Sequence, residues 1–91
     1  MPPQRLDEVV AFFRDRVVAA FSTHQDFLGY QAYVDRERGR LIGISLWATR
    51  SALDASAETA RHTLREAAEL GAAVVADPEI LERAFDARPR P

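Results

Sequence analysis

Two His residues and one Trp are the side chains in this sequence whose types invite chemistry. His24 and Asp26 stand together in "HQD", at a polar break after the first apolar stretch. A His titrates near neutral pH and so suits a general base for a phenol or enol; a solvated loop His is the bland alternative. Trp47 closes an apolar run, with Ser45 two residues before it and Tyr33 and Gln31 on the preceding segment. Two aromatic rings beside a few polar groups suit a planar small molecule. Aromatic cover for a strand glycine and the filling of a dimer interface explain the same residues.

Glu58, His62 and Glu66 are spaced four apart and look like a metal stripe. At about 100° per residue, however, His62 points away from the apolar side of its helix, and no further ligand supports it. The expectation is an exposed charged face and no metal. Arg50 and Arg61 flank the apolar stripe and read as ion-pair partners at the surface. No phosphate loop, nucleophile elbow or basic nucleic-acid patch is present.

These residues need a scaffold. From residue 4 to 21 the apolar positions Leu6, Val9, Val10, Phe13, Val17 and Phe21 predict one amphipathic helix, which Pro2 and Pro3 can start. Residues 29–35 and 40–48 alternate with period two and predict a hairpin. A three-residue loop, Glu37, Arg38 and Gly39, places Gly39 in the left-handed position. It pairs Val34 with Ile42, Ala32 with Ile44 and Tyr30 with Leu46, which makes an apolar floor for helices. Tyr33, Gln31 and Gly29 then oppose Gly43, Ser45 and Trp47 on the other face. A four-residue loop sets Gln31 beside Ile44 instead, so the buried face argues for the shorter loop.

Thr49 predicts a helix N-cap, followed by the stripe Leu53, Ala57, Ala60, Leu64, Ala67 and Ala68 and a stop at Gly71. Residues 72–76 are short and apolar. "DPEILERAFD" fits a capped helix or an edge strand, and 87–91 is a loose tail.

The chain has 91 residues, a net charge of −2 and no Cys. That is one domain, spanning residues 4–86. A domain so short buries only about 60–65% of its unfolded surface and gains from a homodimer. With no signal peptide, no apolar run long enough for a membrane span and no basic excess, the expectation is a cytoplasmic protein without nucleic-acid or membrane partners.

"DFLGYQAYVDRERGRLIGISLW", followed by Thr49 and an Ala-rich helix, resembles the antibiotic-biosynthesis-monooxygenase family. The likeness rests on Asp26-Phe27-Leu28-Gly29 entering the hairpin and Trp47-Ala48-Thr49 leaving it, where a family member shows Gly-Phe-x-Gly and Trp-x-Ser. It implies an α+β, ferredoxin-like fold of the dimeric α/β barrel type: an antiparallel sheet with two helices on one face. The family pattern begins with a strand before the first helix. Only Met1 to Gln4 stand there in this sequence, so that strand is expected to be missing. The resemblance also implies binding of a small aromatic or phenolic molecule, with cofactor-independent oxygenation as the reaction. His24 would be the catalytic base; Trp47, Tyr33, Gln31 and Ser45 would bind substrate. The haem-degrading branch needs a Trp and a His where this sequence has Ser56 and Glu66, so no cofactor is expected. The alternative is a non-catalytic dimerisation or interaction module.

Overall fold

The structure, a computed structural model, describes residues 3–73 and 78–89. It is an α+β fold. The first helix runs without a break through α1 (Pro3–Phe12), a π-helical segment (Phe13–Val17) and α2 (Val18–Phe21). A turn leads to the hairpin of β1 (Phe27–Asp35) and β2 (Arg40–Trp47), which form a two-stranded antiparallel sheet. Then come α3 (Arg50–Ala55) and α4 (Ala57–Glu69). Among the described residues no helix is long and apolar enough to cross a membrane.

The π segment has a cause legible in the spacing. Val9, Phe13, Val17 and Phe21 are successive i+4 neighbours, and in an α-helix each such step overshoots a full turn by about 40°. The wider π turn cancels that drift and keeps the row on one side. Leu6, Val9, Val17 and Phe21 are buried there.

Hairpin register departs from the expectation. Asp35 pairs with Arg40, Val34 with Leu41, Tyr33 with Ile42, Ala32 with Gly43, Gln31 with Ile44 and Tyr30 with Ser45. The loop therefore has four residues, Arg36 to Gly39, and not three. Gly39 is left-handed as expected, with φ +63°. Asp35 fastens the loop by accepting hydrogen bonds from the Arg38 backbone N–H (3.2 Å) and guanidinium (2.8 Å). The Arg38 side chain, followed by its backbone N–H, holds the Asp35 carboxyl below its usual range.

The reason is volume. Phe13 and Phe21 descend from the first helix onto Tyr30, with ring centroids 6.3 and 5.9 Å away. A face that takes these rings needs small residues beneath them, and Gly43 and Ser45 supply that space. Apolarity alone argues for the other register. In consequence Tyr30, Ser45 and Trp47 lie under the helices and Gly43 under the Tyr30 ring, with Ala32 and Val34 of the same face exposed toward the hairpin tip, while Tyr33, Ile42, Ile44 and Gln31 lie on the opposite, open face. A bulge between Phe27 and Gly29 turns Phe27 to the covered side opposite Trp47 and leaves Leu28 exposed.

Thr49 caps α3 as expected, accepting from the Ala52 backbone N–H at 3.0 Å. The helix that follows is broken at Ser56, whose hydroxyl donates to the Leu53 carbonyl at 2.6 Å. Its buried side is Ser56, Thr63 and Ala67; of the predicted stripe, Ala57 and Ala68 are exposed and Leu53, Ala60 and Leu64 half-buried. The small side chains admit the first helix closely, and Thr63 can be buried because its hydroxyl bonds the carbonyls of Thr59 and Ala60. Arg16 ties the two helices together through Glu66 at 3.0 Å. Gly71 ends α4, its N–H donating to the Ala68 carbonyl at 3.0 Å.

Residues 78–89 are neither helix nor strand, and all are exposed. The predicted edge strand or helix at "DPEILERAFD" does not form over them; residues 74–77, which include Asp77 and most of the apolar 72–76 stretch, lie outside the described residues.

Candidate functional site

The two faces of the hairpin divide the candidate residues three and two. On the covered side, the Trp47 indole meets Phe27 at 5.2 Å and Phe21 edge-on at 5.7 Å. Its N–H donates to the Ser45 hydroxyl at 2.9 Å. The His24 ring stands edge-on to the indole at 6.0 Å, and its Nε2 lies 2.6 Å from the Thr59 hydroxyl. Asp26 reaches this position through a left-handed turn (φ +66°), which Asp tolerates better than most residues. Tyr30 completes the cluster, and burial pushes its phenol up to about 12.

On the open side, the Tyr33 hydroxyl donates to the Gln31 side-chain carbonyl at 3.3 Å. Their neighbours are the apolar side chains of Ile42 and Ile44. Tyr33 is 56% exposed, Ile42 51% and Ile44 39%. The expected opposition of Tyr33 to Gly43 and of Gln31 to Ser45 is therefore absent; each faces an isoleucine of β2. Tyr30 covers Gly43 instead of Tyr33.

Among the described residues, two shallow depressions stand out on the surface. Arg16, Thr23, Thr59, His62 and Arg65 line one; His24, Asp26, Thr49 and Ser51 line the other. Trp47, Ser45, Tyr33 and Gln31 border neither. His62 is exposed beside Glu66, with Nε2 to Oε1 at 3.5 Å, and Glu58 pairs with Arg61. Arg50 pairs with Asp54 at 3.0 Å. Among the described residues no three His, Asp or Glu side chains gather as metal ligands.

Chemically, the covered cluster is packing with satisfied polar atoms: the indole N–H and the His24 Nε2 each have a partner. The open face is a different surface, apolar and bordered by a charged hairpin end. Sequence reasoning placed Ile42 and Ile44 under the helices and so missed them as surface residues. The four-residue loop, which sets Gln31 beside Ile44, was the signal that would have found them.

No family model matches this chain, and neither a curated protein nor a solved structure matches it.

Proposed function

We propose that this chain is a homodimerising interaction module, with the open face of the hairpin as its contact surface. The observation that carries this is the row Tyr33, Ile42 and Ile44, exposed on a sheet that has two strands among the described residues and is covered by helices on its other face around Tyr30, Ser45 and Trp47.

The ferredoxin-like, dimeric α/β barrel arrangement draws support from helices packed on one face of an antiparallel hairpin. In that arrangement a second copy would extend the two strands described here into a larger sheet. Sedimentation at micromolar concentration should give about twice the 10.2 kDa chain mass. Ile42→Glu with Ile44→Glu should return a monomer of unchanged helicity. A wild-type chain that stays monomeric throughout overturns the proposal.

A small aromatic ligand remains a second reading, favoured by the Tyr33–Gln31 pair: a ring and a polar group on a face that dimerisation would enclose. His24 as a general base has less behind it, since Thr59 occupies its Nε2. Calorimetric titration of a planar phenol into the wild type and into Tyr33→Phe tests this reading. Heat from the wild type that the variant loses supports a site at Tyr33, and no heat from the wild type ends it.

A further inference from the structure

We infer that residues 78–89 are an exchange arm, whose Leu81 and Phe85 lie across the Tyr33–Ile42–Ile44 face of a second copy of this chain. The inference rests on the dimer reading above and names what fills the contact.

Leu81 and Phe85 are the most exposed large apolar side chains described, at 78% and 81%. Four residues apart, they share a face whether the segment is extended or helical, because i and i+4 coincide in both periodicities. The arm forms neither helix nor strand, and every residue of it is exposed. The same chain thus offers two uncovered apolar surfaces, one on the 78–89 segment and the other on the sheet. In a two-fold dimer each arm covers the partner's sheet while its own sheet receives the partner's arm, so both surfaces are buried and the assembly closes.

Length and charge fit this occupant. Twelve extended residues span up to about 40 Å, enough to cross a nine-residue strand of about 30 Å. The arm carries Glu79, Glu82 and Asp86 beside Arg83 and Arg88, a net charge of −1, while the hairpin end, residues 35–40, carries Arg36, Arg38 and Arg40 beside Asp35 and Glu37, a net charge of +1. Arg40 is held only loosely by Asp35, at 3.6 Å with half its side chain exposed, and is open to a carboxylate from the partner.

The chain has no Cys, so disulfide trapping reads the contact directly. Chains carrying Ile44→Cys are mixed with chains carrying Phe85→Cys under mild oxidation; a covalent heterodimer is expected. In the full chain, Leu81→Glu with Phe85→Glu should weaken the dimer by about a hundredfold, as two buried apolar anchors are lost, with an unchanged far-ultraviolet spectrum. A dimer of undiminished affinity without the heterodimer disulfide overturns the arm and leaves the dimer reading standing. A chain carrying both Ile44→Cys and Phe85→Cys that closes only on itself shows the arm covering its own sheet, which also overturns the exchange. A monomeric wild type removes both readings together.

Discussion

The phenol ring of Tyr30 crosses the hairpin and rests on Gly43, so that a Cβ at residue 43 would overlap its hydroxyl and stand 2.9 Å from Cζ. Tyr30 cannot simply retreat, because the rings of Phe13 and Phe21 close over it. Gly43→Ala should therefore destabilise by about 1–3 kcal/mol, as overpacking does. Urea denaturation measures this, and a neutral result would mean that Tyr30 swings clear.

The same phenol makes stability depend on alkaline pH. An unfolded Tyr ionises near about 10, while burial raises Tyr30 to about 12 in the folded chain. Below the lower value both states keep the proton and stability is complete. As pH rises between the two, only the unfolded chain ionises, so stability falls until the folded phenol also titrates. Because part of Tyr30 meets solvent, the loss is on the order of 1–2 kcal/mol. Denaturation curves from pH 9 to 12 should show the decline in the wild type and a smaller one in Tyr30→Phe.

At the hairpin tip, Gly39 holds φ +63°. Gly39→Ala forces a Cβ into the left-handed region and should cost about 1 kcal/mol or somewhat more. Gly39→Asn should cost less than Gly39→Ala, since Asn visits that region more readily. Equal losses in thermal melts would contradict the turn.

Trp47 holds the end of β2 against Phe21 and Phe27. Trp47→Ala should destabilise by about 3 kcal/mol, whereas Trp47→Phe keeps a ring and should cost far less. Ser45→Ala removes the acceptor of the indole N–H and should cost about 1 kcal/mol. Chemical denaturation ranks the three, and Ser45→Ala without effect would show the indole finding water.

Much of the framework was legible because it is local. The i, i+3 and i+4 apolar spacing named the first helix, Thr49 named a cap, and alternation around Gly39 named a hairpin. The π segment within that helix was not foreseen, although the three i+4 steps from Val9 to Phe21 account for it. Nor was the break at Ser56, because a hydroxyl turned back on its own helix competes with the ladder only where packing favours it.

The candidate site was less legible, for a reason one residue wide. By itself the sequence determined that residues 29–35 and 40–48 form a hairpin, that Gly39 turns it, and that small residues alternate with Trp47 on β2. It could not say which face meets the helices. Apolar counting assigns Ile42 and Ile44 to the core, and only the bulk of Phe13, Phe21 and Tyr30, brought together from distant positions, makes Gly43 and Ser45 the better fit beneath them. Side chains alternate across a strand, so that single-residue difference in register parted Tyr33 and Gln31 from Trp47 and Ser45 and turned two isoleucines outward.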